Sequence, residues 1–208
     1  MDIEKASRRA MEKGDEEKHG ITEDEREDYR DDRWAYDTKY RKDLEAQVVK
    51  DELTDTVNLL GFTNRLEQFM GLVRREKIPV SLVYLDIDHF KKVNDTLGHA
   101  AGDAVLKEIV SLLKRSVREV DVVARIGGEE IAIILEGTEG DKAIEKAQKL
   151  REGIQTLTFK DYPGLKVTAS FGVATLNGSE TLEDVRANAD KALYIAKENG
   201  RNRVEVST

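Results

Sequence analysis

The sequence of 208 residues contains no cysteine and no long apolar run. Without cysteine, the chain forms neither disulfide bonds nor thiolate metal sites, and a reducing compartment is compatible with it. No run approaches the roughly twenty apolar residues that span a membrane, and the N-terminus lacks the apolar core of a signal peptide. These absences predict a cytoplasmic protein with no membrane segment in this chain.

An excess of positive charge is also lacking. The chain carries 34 Lys and Arg against 42 Asp and Glu, which gives a formal net charge of −8. A general nucleic-acid binder needs a basic surface for the phosphate backbone, so the composition argues against one. The length is enough for one ordinary domain plus an extension.

Residues 1–50 form a compositional zone of their own, in which acids and bases are densely mixed, as at 23–28. Nothing before Tyr29 can build a core, which predicts a disordered stretch or a solvated helix. From Trp34 onward, apolar residues recur every four positions, as on one face of a helix. They are Tyr36, Tyr40, Leu44 and Val48. Two interpretations stay open: this helix packs on its own domain, or it pairs with a second copy as a dimerisation helix.

A β-hairpin with unusual turn chemistry is predicted near the middle of the chain. Apolar runs at 122–124 and 131–135 flank Gly127 and Gly128, and the glycines are followed at once by Glu129 and Glu130. Glycine lets the backbone approach a ligand closely, and neighbouring carboxylates suit a hard cation. The turn is therefore a candidate metal and phosphate site, although an exposed acidic turn is the more common occurrence of such a pattern.

Periodicity elsewhere predicts alternating helices and strands. The expected helices cover 59–77, 105–118, 144–157 and 182–197; the expected strands cover 80–85, 165–176 and 203–206; 89–95 is a short helix or turn and 98–103 a loop. Thr54 or Asp55 is expected to cap the first helix. Because a hairpin occurs among helical crossovers, we expect an α+β sandwich with a mixed sheet rather than a doubly wound parallel sheet.

The strand at 80–85 delivers Asp86 and Asp88 at its end. If this strand lies beside the hairpin, Asp86 and Glu129 face each other across one site. A set of oxygen ligands without cysteine or histidine prefers Mg²⁺ or Mn²⁺ to Zn²⁺. Glu129 and Glu130 are adjacent and cannot point the same way on a regular strand. Four basic side chains are available for phosphates, or are ordinary solvated charges: Lys91, Lys92, Lys197 and Arg201.

Several motifs together carry a resemblance. Four segments occur in this order along the chain: 51–54 with Asn58, 86–99 with Gly102 and Asp103, 127–131, and 189–202. They resemble the motifs of the GGDEF family, the diguanylate cyclases, with Gly-Gly-Glu-Glu as the variant of the signature. The resemblance covers residues 51 to 206, so we expect the catalytic domain at 51–208, preceded by the charged, partly helical extension at 1–50.

The resemblance implies a nucleotidyl cyclase or polymerase palm-like fold, with a mixed central sheet flanked by helices. It implies condensation of two GTP into cyclic di-GMP with release of two pyrophosphates, by a homodimer in which each subunit presents one GTP. It implies Mg²⁺, replaceable by Mn²⁺, held by Asp86, the Ile87 carbonyl, Glu129 and Glu130. It implies substrate contacts from Lys91, Asn94, His99, Asp103, Gly127, Gly128, Lys197 and Arg201. Glu129 is further implied as the base and Lys91 as a stabiliser of transition-state charge.

A pair of residues before the hairpin, Arg118 and Asp121, matches the family's Arg-x-x-Asp inhibitory site for the product cyclic di-GMP. Arg and Asp are side chains that grip phosphates and guanine edges. An ordinary ion pair at a helix end is the alternative interpretation, and the fixed offset from Gly127 favours the inhibitory site.

The sequence departs from the family pattern at three positions. Asp55 stands where glycine is usual, Leu59 where arginine is usual, and Ile131 where the signature has an aromatic residue. Two other functions remain as alternatives: a catalytically silent receptor that binds GTP or cyclic di-GMP, and a related palm acting on another nucleotide. The retention of Asp86, Glu129, Asp103 and Lys91 favours the enzyme.

Overall fold

A computed structural model of the protein describes residues 49–207. The predicted helix face at 36–48 lies outside these residues. The described part contains five α-helices: α1 Leu59–Glu76, α2 Phe90–Leu97, α3 His99–Ser116, α4 Gly140–Gln155 and α5 Leu182–Glu198. Its seven strands are β1 Lys50–Asp51, β2 Thr56–Val57, β3 Val80–Ile87, β4 Val122–Arg125, β5 Glu130–Glu136, β6 Ala169–Leu176 and β7 Val204–Val206. No helix in residues 49–207 has the length and apolar character of a membrane span.

The strands form one mixed sheet in the order β1-β2-β4-β5-β3-β6-β7. The fully buried β3 lies between β5 and β6 and is antiparallel to both. The pairs β2 with β4 and β6 with β7 are parallel, which confirms the predicted mixed sheet. The predicted hairpin is confirmed as the antiparallel pair β4 and β5.

Helices cover both faces of the sheet, which confirms the predicted sandwich. Side chains of β3 alternate between the faces. Val83, Leu85 and Ile87 pack with residues of α2, α3 and α4. Leu82 and Tyr84 pack with residues of α1 and α5 on the other face. The two apolar layers hold β3 rigid and fix the position of its last residues.

The segment between β1 and β2, residues 51–56, forms a turn that we call the entry turn. The carboxylate of Asp51 accepts hydrogen bonds from the backbone N–H and the hydroxyl of Thr54, at 2.9 and 2.6 Å. The predicted helix cap at Thr54 or Asp55 is therefore wrong. Asn58 caps α1 instead, with its side chain accepting from the Gly61 N–H at 3.1 Å.

Two predicted boundaries also differ from the structure. The expected loop at 98–103 is wrong, because α3 begins at His99 directly after Gly98, whose φ of +85° breaks the chain direction between α2 and α3. The strand expected from residue 165 begins only at Ala169. Turn hydrogen bonds precede it, from the Tyr162 N–H to the Phe159 carbonyl and from the Leu165 N–H to the Tyr162 carbonyl.

Candidate active site

The last residues of β3 lie beside the turn of the β4–β5 hairpin, which is the arrangement under which Asp86 and Glu129 were expected to share a site. Asp86 is opposite Glu130 in the strand register, and the Ile87 N–H donates to the Glu129 carbonyl at 3.4 Å. Asp86 is buried, whereas Glu129 is half-buried in the turn. Burial raises the pKa of Glu129, and the nearby charge of Asp86 raises it further. The structure therefore brings the two predicted acids into electrostatic range of each other.

The C-terminal end of α5 supplies the charge that balances these acids. The Lys197 Nζ lies 2.7 Å from Asp86 Oδ2. Burial raises the pKa of Asp86, while the hydrogen bond and charge of Lys197 oppose the rise and Arg201 opposes it more weakly. Two carboxylates and two cations thus meet where β3, the hairpin and α5 end.

The two glycines of the hairpin turn, Gly127 and Gly128, have different surroundings. A Cβ on Gly127 would lie 2.3 Å from Glu130 Oε2, so the Glu130 side chain lies across this glycine. A Cβ on Gly128 would meet no atom within 4 Å, and Gly128 is exposed. The open side of the turn is therefore at Gly128. Glu130 is exposed and lines a cavity of about 320 Å³ together with Tyr84 and Arg186.

Helices α2 and α3 carry four of the residues predicted to contact the substrate: Lys91, Asn94, His99 and Asp103. Gly102 is buried, and a Cβ there would lie 2.0 Å from Asn94 Oδ1, so only glycine allows the Asn94 side chain this close to α3. Asp103 follows Gly102 and is exposed in the first turns of α3. His99 begins α3 and is exposed. The Lys91 side chain is exposed on α2 and makes no ion pair or hydrogen bond with the other residues of 49–207.

Asp88, which was assigned no role from the sequence, is a structural anchor of the site. Its carboxylate accepts from the Thr168 and Ser170 hydroxyls at 2.6 and 2.7 Å and from the Asn202 N–H at 3.0 Å. The hydroxyl bonds tie Asp88 to the start of β6, and the Asn202 bond holds the segment that follows α5, in which Arg201 and Asn202 have positive φ values of 65° and 45°. The sequence shows that Asp88 follows a strand, but its hydrogen-bond partners are distant in the sequence, so its anchoring role could not be predicted.

Arg118 and Asp121 lie at the end of α3 and form an ion pair with N–O distances of 3.0 and 3.3 Å. The Asp121 side chain is 1% exposed and also accepts from the backbone N–H groups of Arg118 and Glu136, at 2.9 and 3.1 Å. Arg118 further donates to the Glu136 carbonyl and, at 3.0 Å, to the Thr138 hydroxyl. The pair therefore ties the end of α3 to β5, and the Arg118 side chain remains 54% exposed.

The donor set at the end of β3 fits a hard divalent cation in its chemistry. Residues 49–207 contain no group of three or more Asp, Glu, His or Cys side chains arranged to hold a metal ion. What they offer is a pair of mutually repelling carboxylates, Asp86 and Glu129, beside backbone carbonyls, which are ligands that Mg²⁺ and Mn²⁺ prefer. A mixed sheet between helical layers, with acids at the end of its central strand, defines the palm-like class of nucleotidyl cyclases.

Comparison with known proteins agrees with this class. The family model for the GGDEF domain of diguanylate cyclases matches residues 48–203. The chain is 39% identical over 168 residues to the diguanylate cyclase DgcP of Pseudomonas aeruginosa, covering 80% of this chain and 25% of that protein. It is 40% identical over 162 residues to the probable diguanylate cyclase DgcT of Escherichia coli, covering 76% of this chain and 35% of that protein.

Solved structures are similar as well. The coiled coil and GGDEF domain of DgcB from Caulobacter crescentus, in complex with c-di-GMP, matches with a TM-score of 0.76 and 29% identity over 86% of this chain and 98% of that one. The diguanylate cyclase SiaD of Pseudomonas aeruginosa, in complex with its activator SiaC, matches with a TM-score of 0.75 and 29% identity over 98% of this chain and 75% of that one. The chain belongs to the GGDEF domain family of diguanylate cyclases.

Proposed function

We propose that this chain condenses two molecules of GTP into cyclic di-GMP and releases two pyrophosphates. The observation that carries the proposal is the meeting of Asp86, Glu129 and Lys197 at the end of β3. Membership of a family whose relatives are named diguanylate cyclases supports it. The chain spans only about a quarter to a third of the length of the two relatives described, so the activity is proposed from its own residues.

A divalent cation would be held by four groups at the end of β3 and in the hairpin turn: Asp86, the Ile87 carbonyl, Glu129 and Glu130. Mg²⁺ is the expected ion, and Mn²⁺ can replace it. Such an ion would neutralise charge on the transferring phosphate and lower the pKa of the attacking hydroxyl.

The remaining chemistry is assigned to side chains. The ribose 3′-oxygen of one GTP attacks the α-phosphorus of the other, and the bond from that phosphorus to the leaving pyrophosphate breaks. Glu129 takes the hydroxyl proton, which its raised pKa favours. Lys197 and Arg201 hold the phosphates at the end of α5, and Lys91 stabilises charge in the transition state. The exposed Gly128 lets phosphate oxygens approach the backbone.

Base selection is assigned to α2 and α3. A carboxylate at Asp103 accepts from guanine N1–H and the N2 amine together, and adenine offers no such pair of donors. Asn94 lies against the same part of α3 and completes the guanine contacts, with His99 beside them at the start of α3.

The cyclic product has twofold symmetry, so two subunits must each present a GTP, and we propose that catalysis takes place in a homodimer in the cytoplasm. In this proposal residues 51–208 form the catalytic domain and 1–50 the extension, with the apolar face from residue 34 as a dimerisation helix. Arg118 and Asp121 are proposed as the site at which cyclic di-GMP inhibits its own synthesis.

The test is incubation of the purified chain with GTP and Mg²⁺, with products identified by mass spectrometry. The expected result is cyclic di-GMP from the parent and none from Glu129→Ala. Glu108→Ala, which removes an exposed acid on α3, is the matched control and should stay active. Absence of product over a range of protein concentrations, also with Mn²⁺, would favour the silent receptor, which a binding titration with GTP and cyclic di-GMP would then examine.

A further inference from the structure

Three consecutive residues after α5 hold their backbone in the left-handed region, and we call them the left-handed segment. The φ values are +108° at Gly200, +65° at Arg201 and +45° at Asn202. Glycine adopts such values freely and asparagine tolerates them, but they are unfavourable for arginine. Contacts with the rest of the fold must therefore hold this segment in place.

Asn202 is the residue of the left-handed segment that the fold binds at two points. Its backbone N–H donates to Asp88 Oδ2 at 3.0 Å, and its side-chain Oδ1 accepts from Nη1 of Arg151 at 3.0 Å. Asp88 is buried directly after β3, whereas Arg151 belongs to α4. The segment is therefore held between the central strand and a helix to which the proposed chemistry assigns no residue.

The guanidinium of Arg151 is itself oriented on α4, and its side chain is only 15% exposed. Its Nε donates to Gln148 Oε1 at 3.0 Å, and its Nη1 donates to Gln155 Oε1 at 3.0 Å. Its Nη2 lies 3.3 Å from Glu152 Oε1. These partners lie within about one turn of the same helix, so they orient the guanidinium without linking α4 to another element. The bond to Asn202, in contrast, joins residues 51 positions apart.

Arg201 directly precedes Asn202 and brings its charge to the candidate active site. Burial raises the pKa of Asp86, and the charge of Arg201 is among the groups that oppose this rise. The Arg201 N–H also donates to the Ala196 carbonyl at 3.0 Å, which ties its backbone to α5. A shift of Asn202 would move the Arg201 side chain relative to Asp86, and displacements of about 1 Å at such contacts lower rates strongly.

We propose that Arg151 is a positioning residue: its hydrogen bond to the Asn202 side chain holds the left-handed segment and so keeps Arg201 in place to bind a phosphate of GTP. This inference rests on the proposed function, in which Lys197 and Arg201 hold the phosphates. Arg151 acts through Asn202 and Arg201 rather than on the substrate.

The first test is a double-mutant cycle on the initial rate of cyclic di-GMP formation by the full chain. Arg201→Ala should lower kcat/KM about a hundredfold, and Arg151→Ala about tenfold. Because Arg151 acts through Arg201, the double variant should be no slower than Arg201→Ala alone. A merely structural Arg151 would make the two losses multiply to about a thousandfold, and that result would overturn the proposal.

Three further variants examine the bond between Arg151 and Asn202. Asn202→Gly keeps a backbone that adopts positive φ but removes the acceptor, so it should lower kcat/KM about tenfold, as Arg151→Ala does. Arg151→Lys keeps one donor and should recover part of that loss. Gln155→Ala removes the other acceptor of Arg151 Nη1, leaves the bond to Asn202, and should keep the parental rate. Parental activity in Asn202→Gly would contradict the proposal.

Amide hydrogen exchange without nucleotide separates this inference from the proposed activity. The Asn202 N–H donates to Asp88, and in Arg151→Ala it should exchange about tenfold faster than in the parent. The amide of Val83, buried in β3, should exchange at the parental rate. Unchanged exchange at Asn202 would overturn the proposal. Faster exchange in a chain that makes no product would support the hold of Arg151 on the segment and refute the proposed activity.

Discussion

The guanidinium of Arg125 joins Asp51 of the entry turn to the hairpin turn that carries Glu129. Its Nη1 lies 3.2 Å from Asp51 Oδ2, and its Nη2 donates to the Gly128 carbonyl at 2.8 Å. Burial acts to raise the pKa of Asp51, but hydrogen bonds from Thr54 and the charge of Arg125 outweigh it and lower the pKa. The residues that begin the described part of the chain are thereby connected to the candidate catalytic acid.

Loss of this connection should reduce turnover while the fold remains. Arg125→Ala leaves the hairpin turn without its side-chain donor, and a displacement of about 1 Å at Glu129 can lower kcat by about a hundredfold. Arg125→Lys keeps the positive charge but lacks the forked guanidinium, so its kcat should lie between those of the parent and Arg125→Ala. Initial rates of cyclic di-GMP formation, with a thermal melt for each variant, measure this. Arg115→Ala serves as the control, and parental rates in Arg125→Ala would contradict the expectation.

Lys197→Ala should lower activity and move its pH dependence. Lys197 opposes the raised pKa of both Asp86 and Glu129. Without it both pKa values rise, so the charged forms appear only at higher pH, and the acidic limb of the kcat/KM profile should shift upward. The loss of a phosphate contact should reduce the rate by about a hundredfold. Lys191 is exposed on the same helix, and Lys191→Ala should keep the parental rate and pH profile. An unshifted acidic limb of the kcat/KM profile in Lys197→Ala would argue that Lys197 does not control the pKa values of the two acids.

Asp103→Ser should relax the preference for GTP over ATP. The variant loses the carboxylate that accepts two guanine donors, and such a paired contact is worth about 10²-fold to 10³-fold in discrimination. The ratio of kcat/KM for GTP and ATP measures the effect. Asp103 is exposed, so the fold should be unaffected. Asp141→Ser, at an exposed position on α4, is the control, and an unchanged ratio in Asp103→Ser would exclude this role.

Arg118→Ala should keep turnover and weaken inhibition by added cyclic di-GMP. Asp121 would retain its two backbone donors, so we expect a loss of only about 1–2 kcal/mol in the free energy of unfolding. Inhibition curves at fixed GTP compare the variant with the parent and with Arg115→Ala. Identical inhibition in all three would leave the pair with a structural role only.

Two glycines should separate stability from activity. A Cβ on Gly172 would lie 2.3 Å from backbone atoms of Ala189 and Leu193, and because backbone cannot move aside, Gly172→Ala should destabilise the fold by about 3 kcal/mol. Gly128→Ala meets open space and should unfold like the parent, yet reduce activity if phosphates approach that backbone. Denaturant unfolding and rate measurements on both variants test this. A fully active Gly128→Ala would show that no close approach occurs there.

The sequence by itself determined the layers and the family. Short continuous apolar runs identified β3 and the hairpin, because a strand covered on both faces is apolar throughout. Apolar spacings near four identified the helices, because a helix buries one face. Four residues of the candidate site could be predicted from short sequence motifs alone: Asp86, Gly127, Gly128 and Glu129.

Only the tertiary structure decided which charges are balanced, and by what. The contacts of Asp86 with Lys197, of Asp88 with Asn202, and of Asp51 with Arg125 join positions 74 to 114 residues apart, and no local pattern specifies such pairs. The structure also decided where α1 begins. Thr54 donates its hydroxyl to Asp51 within the entry turn, and the residue that caps α1 is Asn58. Electrostatic energies depend on burial and on distance in space, and both exist only once the chain has folded.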